Sequence, residues 1–72
     1  MPRPAKHSLT LNGHRTSVSL EAEFWQAFRD IAAQNQQTIN ALAARIDAGR
    51  TPDIGLASAI RLHVLHHYRG AK

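Results

Sequence analysis

The 72-residue sequence has no cysteine, and its aromatic residues are one Trp, one Tyr and two Phe. The lack of cysteine excludes disulfides and thiolate metal sites. A chain of this size buries only about 60% of its unfolded surface, so a single copy is expected to be marginally stable. Because disulfides are excluded, the sequence predicts that a second copy supplies the missing stability and that the protein is a homodimer.

Acidic residues and long apolar runs are also scarce. Five Asp and Glu stand against nine Lys and Arg, which gives a formal net charge of +4. A basic domain of this kind suits a polyanionic partner, most commonly nucleic acid. Apolar runs such as residues 31–33 are too short to cross a membrane, and the Met-Pro-Arg-Pro opening lacks the apolar stretch of a secretory signal. We therefore expect a cytoplasmic protein that does not bind membranes.

The first twenty residues divide into an arm and a hairpin. Residues 1–7 contain two prolines and two basic residues without an apolar anchor, which predicts a flexible basic arm before a domain over residues 8–72. From Ser8, polar and apolar residues alternate on both sides of Asn12-Gly13, a strong signal for a β-hairpin with a two-residue turn. The register predicted from this turn pairs Leu11 with His14, Leu9 with Thr16 and His7 with Val18.

From Leu20 the apolar spacing becomes helical. A first helix is expected from Leu20 to about Gln34, with Ser19 as its N-cap. Asn35 is expected to take the left-handed conformation that ends the helix.

Two further helices complete the predicted order. Thr38 is expected to cap a second helix that ends at Gly49, and a third helix should run from near Leu56 to about Arg69. In the third helix Leu62 and Leu65 lie away from the main apolar stripe. A helix that is apolar on two sides requires two partners, and in a small chain the second partner is expected to be another subunit.

Three segments in this order carry a family resemblance. Residues 15–20 (RTSVSL), 28–35 (FRDIAAQN) and 38–42 (TINAL) resemble the ribbon-helix-helix repressors of the Arc and MetJ type. The resemblance covers roughly residues 14–48, and the whole sequence resembles short bacterial ribbon-helix-helix domain proteins. It implies a mainly α fold with a short β-ribbon and an additional C-terminal helix, in an intertwined homodimer whose strands pair antiparallel. The implied function is sequence-specific binding of double-stranded DNA by the ribbon in the major groove, as a transcription regulator.

The resemblance also assigns candidate contacts. By position in the family pattern, the strand residues implied to contact base edges are Arg15, Ser17 and Ser19. Those implied to contact phosphate at the start of the second helix are Thr38, Ile39 and Asn40, where free backbone N–H groups and the helix dipole favour an anion. Arg3 and Lys6 in the basic arm are further candidates for phosphate contact because of their charge.

Two features depart from the family pattern. Gln36 and Gln37 follow Asn35 in a turn that often carries Gly in the family, so the family pattern does not fix the conformation of this turn. An additional strand over residues 8–11 would give the dimer a four-stranded sheet, which is too wide to enter a groove as a two-stranded ribbon does. Three possibilities stay open: the additional segment peels away, lies elsewhere, or DNA is bound in another way.

Other chemistries have weaker support. His63 and His67 have the i, i+4 spacing of a metal pair, and His66 lies beside them, but exposed histidines at a helix end are the simpler interpretation, so no metal or cofactor is expected. Phe24 and Trp25 have the spacing of packing residues rather than of a base-stacking platform. The sequence contains no cysteine nucleophile and no Gly-rich phosphate-binding loop, so it gives no indication of an enzyme. The alternative function is a protein-interaction module, an antitoxin or adaptor, that binds its partner through the third helix.

Overall fold

The computed structural model describes residues 3–70 and contains a β-hairpin followed by three helices. Strands β1 (Ala5–Leu11) and β2 (His14–Leu20) form the hairpin. Helices α1 (Ala22–Gln34), α2 (Ile39–Gly49) and α3 (Leu56–Gly70) follow. This order confirms the predicted mainly helical fold with a short β-ribbon. Within residues 3–70 there is no helix long and apolar enough to span a bilayer.

The hairpin has the register predicted from Asn12-Gly13. Leu11 pairs with His14, Leu9 with Thr16 and His7 with Val18. Asn12 has φ 52° and Gly13 has φ 83°, the two positive values of a type I′ turn, whose twist matches that of the strands. The structure thus contains the additional strand, β1, and pairs it with β2 within one chain, beside the pairing of strands between subunits that the family resemblance implies.

Strand β1 begins earlier than the sequence predicted. It starts at Ala5 instead of Ser8, so residues 5–7, which were assigned to the arm, belong to the hairpin. The His7 ring stacks on Trp25 at 4.0 Å between centroids with an angle of 6° between planes. This stacking and the pairing of Ala5 with Leu20 extend the strand. Residues 1–2 of the predicted arm lie outside the described residues.

The start of α1 is also later than predicted. Leu20 is fully buried as the last residue of β2, and Glu21 is the N-cap, without a side-chain capping bond. The predicted cap, Ser19, is instead part of the strand, because Leu20 contributes to the core from the hairpin and not from the helix. Helix α1 therefore begins at Ala22 rather than at Leu20.

The C-terminal end of α1 is a Schellman motif. Asn35 has φ −94°, and the left-handed residue is Gln36 with φ 55°, so the predicted conformation lies one residue later. The Gln37 N–H donates to the Ala32 carbonyl at 2.9 Å, and the Gln36 N–H donates to the Ala33 carbonyl at 3.1 Å. These two bonds require the left-handed residue directly after the C-cap, and Gln36 occupies that position.

Helices α2 and α3 agree with the prediction. The Thr38 hydroxyl oxygen accepts a hydrogen bond from the Ala41 N–H at 3.0 Å and caps α2, which ends at Gly49. Helix α3 begins at Leu56, after a turn at residues 52–54, because Gly55 and the preceding Pro-Asp sequence interrupt the chain.

A single chain encloses the hydrophobic core. Its largest fully buried side chains come from the hairpin and from all three helices: Leu9, Leu20, Phe28, Ile31, Leu42 and Ile60. Phe24 and Trp25 are partly buried and pack against this core, which confirms the packing role predicted for them. One chain thus covers the centre of this core, and Leu62, Leu65 and Tyr68 of α3 stay exposed outside it.

Arg61 joins α3 to the junction between β2 and α1. Its Nε and Nη2 donate to the two carboxylate oxygens of Glu21 at 3.0 and 3.2 Å, and Nη2 also donates to the Ser19 carbonyl at 3.2 Å. Such a fork of charge-assisted hydrogen bonds is stronger and more directional than a single ion pair. The hydrogen bonds from Arg61, followed by one from the Glu21 backbone N–H, lower the pKa of the Glu21 carboxyl.

We predict that Glu21→Gln lowers the Tm at pH 7, because the amide cannot replace the carboxylate that Arg61 binds. A lowered pKa in the folded state means that this stabilisation is complete above the ordinary value of 4.5 and is lost as the pH falls through the lowered value. The Tm values of wild type and variant should therefore converge in acid, which thermal melts followed by circular dichroism can measure.

Glu23→Gln is the matched control, since Glu23 lies in the first turn of the same helix but does not bind Arg61. Its effect measures the interaction of one carboxylate with the helix dipole alone. A loss of Tm for Glu21→Gln no larger than the loss for Glu23→Gln would contradict the role given to Arg61.

Candidate nucleic-acid interface

The outward face of the hairpin is entirely polar. Its six exposed residues form three cross-strand pairs: Lys6 with Ser19, Ser8 with Ser17, and Thr10 with Arg15. On the opposite face Leu9, Leu11 and Val18 are buried in the core, and His7 and Thr16 are partly buried. The alternation therefore places Arg15, Ser17 and Ser19 on one outward surface, together with three residues of β1.

This surface, which we call the ribbon face, carries positive charge only. Arg3, Lys6 and Arg15 are the charged residues between positions 3 and 20, and the first acidic residue of the chain is Glu21. Arg3 is exposed just before β1, and Lys6 and Arg15 lie near opposite ends of the ribbon face. A surface of this kind attracts a polyanion and contains no carboxylate that would repel phosphate.

The N-terminus of α2 lies beside the ribbon face. The Thr10 N–H, at the outer edge of β1, donates to Oδ1 of Asn40 at 3.0 Å. Since the Thr38 hydroxyl already binds the Ala41 N–H, the backbone N–H groups of Ile39 and Asn40 remain without a partner within residues 3–70. Free N–H groups at the positive end of a helix dipole are a favourable position for an anion. The structure thus brings the predicted phosphate and base contacts next to each other.

The two edges of the hairpin differ. The residues that flank a two-residue turn, here Leu11 and His14, form a hydrogen-bonded pair, and such pairs alternate with non-hydrogen-bonded pairs along the hairpin. Arg15, Ser17 and Ser19 lie in non-hydrogen-bonded pairs, so their backbone N–H and C=O groups point away from β1. The Ser19 carbonyl accepts a hydrogen bond from Arg61. The other outward backbone groups of these three residues have no partner among the described residues. The β1 edge, in contrast, is covered at Thr10 by the Asn40 side chain. Strand β2 therefore has an open edge, which is a template for another strand.

A groove of about 720 Å³ follows this open edge. Val18 and Leu11 from the hairpin and Leu56 and Ala57 from the start of α3 provide its apolar part. The ion pair between Arg50 and Asp47, at 2.8 Å, borders it at the end of α2. The space beside β2 is thus an open groove that the end of α2 and the start of α3 border.

The C-terminal histidines lie outside this surface. His67 Nε2 lies 3.2 Å from the Gln34 side-chain oxygen, and its ring meets Tyr68 edge to face. Across residues 3–70, no group of three or more potential ligating residues comes together around these or other positions.

Sequence reasoning missed some members of the surface. Ser8 and Thr10 were not identified as site residues, although the register predicted from Asn12-Gly13 places them outward. The bond between Thr10 and Asn40 joins residues 30 positions apart, and no local pattern in the sequence indicates it.

Comparison with known proteins gives a family match for the chain. Residues 4–68 match a family described as "Ribbon-helix-helix domain". No curated protein and no solved structure shows a significant match to the chain. Domains of the matched family are typically DNA-binding or regulatory modules without catalytic activity, and they generally bind DNA as dimers. Because the match spans nearly the whole chain and the structure has a ribbon followed by helices in the same order, the chain belongs to the ribbon-helix-helix family.

Proposed function

We propose that the protein binds double-stranded DNA sequence-specifically as a homodimer and acts as a transcriptional repressor in the bacterial cytoplasm. The observation that carries this proposal is the ribbon face, a two-stranded surface with six polar outward side chains and no acidic residue. Two strands side by side have the width of the major groove, and in the dimer described below the two central β2 strands turn their outward side chains to the base edges.

Arg15 is the residue that gives this surface most of its sequence preference. Arginine can donate two hydrogen bonds to one guanine, whereas the short hydroxyl groups of Ser17 and Ser19 discriminate less among bases. All three side chains are exposed and project from the same face of β2. We therefore assign Arg15 the main role in base recognition and the two serines a smaller one.

Phosphate is bound beside the ribbon face. The free N–H groups of Ile39 and Asn40, next to the Thr38 cap, bind one phosphate at the N-terminus of α2. Lys6 and Arg3 add positive charge at the other end of β1. These contacts hold the protein on the duplex without reading its sequence.

The homodimer forms through the open edge of β2, where the strand pairs antiparallel with β2 of a second copy. Ser17 then lies opposite its own copy, and the unpaired backbone groups of Arg15 and Ser17 gain partners. The sheet has four strands and is about 14 Å across, slightly wider than the major groove at about 12 Å. The two central strands therefore face the bases. Each β1 lies over the phosphate backbone of one DNA strand, which Lys6 contacts. From this shallow position Arg15 reaches the bases, and the serines act through water.

We predict that Arg15→Ala weakens binding to the preferred site by about 1–3 kcal/mol and reduces the preference among sequences. Asn40→Asp keeps the oxygen that accepts from the Thr10 N–H but adds a negative charge beside the bound phosphate. It should weaken binding to preferred and scrambled DNA equally. Fluorescence anisotropy with both duplexes measures the two affinities for each variant.

Arg69→Ala provides the control, because it removes one positive charge from the last turn of α3, away from the hairpin. This variant should bind both duplexes nearly as wild type does. If Arg15→Ala changes neither affinity in a folded protein, the ribbon face does not recognise DNA, and the proposed function is wrong.

We also predict that Ser17→Pro prevents dimer formation while the hairpin remains intact. Proline removes an N–H that points to the open edge and that does not bind β1, so the bonds within the hairpin are kept. Sedimentation analysis should show a monomer at concentrations where the wild-type protein is a dimer.

Ser8→Pro is the matched control, since Ser8 lies opposite Ser17 and its N–H points to the other edge of the same hairpin. We expect this variant to remain a dimer, with circular dichroism confirming that both variants are folded. A Ser17→Pro protein that still forms dimers would show that the subunits meet elsewhere.

A further inference from the structure

A second groove lies between α2 and α3, with a volume of about 540 Å³. Its floor is apolar and is formed by Leu42 and Ile46 of α2, Ile54 of the connecting turn, and Ala59 and Leu62 of α3. No residue of the hairpin lines it. The groove is thus separate from the ribbon face, and both surfaces can be occupied together.

The apolar floor continues onto the exposed surface of α3. Leu62 is 43% exposed and Leu65, one helical turn later, is 46% exposed. Residues three positions apart lie side by side on a helix, so the two leucines form one apolar strip at the border of the groove. An apolar strip joined to a groove is a common feature of surfaces that bind an amphipathic helix.

The rim of this groove is basic. Arg45, His63 and His66 line it, and among the residues that the structure describes no Asp or Glu does. Arg45 binds the Gln37 side-chain amide oxygen at 3.1 Å, which does not neutralise its charge. Arg50 also lines the groove but is paired with Asp47.

His63 is half-buried at this rim and lies near other basic groups. Burial lowers the pKa of His63, and the positive charges of His67, Arg45 and His66 lower it further. The charged groups around this imidazole are thus basic residues from its own helix and from α2. The lowered pKa leaves this imidazole uncharged at pH 7, and a carboxylate placed in the groove would raise the pKa again.

We propose that the groove between α2 and α3 binds an acidic amphipathic segment of another protein. The apolar side chains of this segment pack on Leu62 and the groove floor, and its carboxylates pair with Arg45 and accept hydrogen bonds from the ring N–H groups of His63 and His66. This proposal does not depend on DNA binding by the ribbon face.

Charge complementarity favours this occupant over the alternatives. A second copy that presented the same face would bring the basic residues of two rims together, which is unfavourable. DNA would match the basic rim but would leave the apolar floor and Leu62 without contacts. An acidic segment with one apolar face satisfies both features.

The proposal can be tested with a synthetic amphipathic helical peptide that has Leu at every third or fourth position and Glu at the others. Binding to the full-length chain is followed by NMR and by fluorescence anisotropy. We expect the peptide to shift the resonances of Leu62, His63 and Arg45, and a peptide with Lys in place of Glu to bind far more weakly. Arg45→Glu should reduce the affinity about tenfold or more. Arg29→Glu, which makes the same charge change on an exposed residue of α1, should leave it nearly unchanged.

Several results would overturn the proposal. If the Lys peptide binds as tightly as the Glu peptide, or if Arg45→Glu leaves the affinity unchanged, the charges on the rim do not contribute to peptide binding. Groove resonances that shift with protein concentration alone would identify a second copy as the occupant. Groove resonances that shift on addition of duplex DNA would identify nucleic acid as the occupant instead.

Discussion

The rest of the structure depends on the register that the Asn12-Gly13 turn imposes on the hairpin. Successive strand residues face opposite sides, so a slip of one residue would move Leu9, Leu11 and Val18 to the surface and the polar residues into the core. With the type I′ turn in place, the same alternation builds both the inner wall of the core and the ribbon face. The stability of the fold and the composition of its outer surface thus have one local cause.

Side chains from the helices then make the two edges of the hairpin different. Asn40 binds the Thr10 N–H at the edge of β1, and this contact brings the N-terminus of α2 next to the ribbon face. Arg61 binds the Ser19 carbonyl on the other edge but leaves the groups of Arg15 and Ser17 open. One edge therefore positions the N-terminus of α2 beside the ribbon face, and the other remains available for a second strand.

Features that depend on local patterns could be predicted from the sequence, and those that depend on distant contacts could not. The hairpin register, the Thr38 cap and the start of α3 near Leu56 follow from neighbouring residues, and the structure confirms them. The start of α1 was placed too early because Leu20 fits either the end of a strand or the start of a helix, and only its burial decides. The sequence predicts a β1 that is too short, because the stacking of His7 on Trp25 joins residues 18 positions apart. For the same reason, the contact of Arg61 with Glu21, across 40 positions, has no signature in the sequence.

The central claim is that the ribbon face is the surface that meets DNA, and it can be tested directly by NMR titration of the full-length chain with its preferred duplex. The account predicts that the largest chemical-shift changes occur at Arg15, Ser17 and Ser19 and at the backbone of Ile39 and Asn40. Changes confined to the groove between α2 and α3, with the hairpin resonances unmoved at saturation, would contradict it.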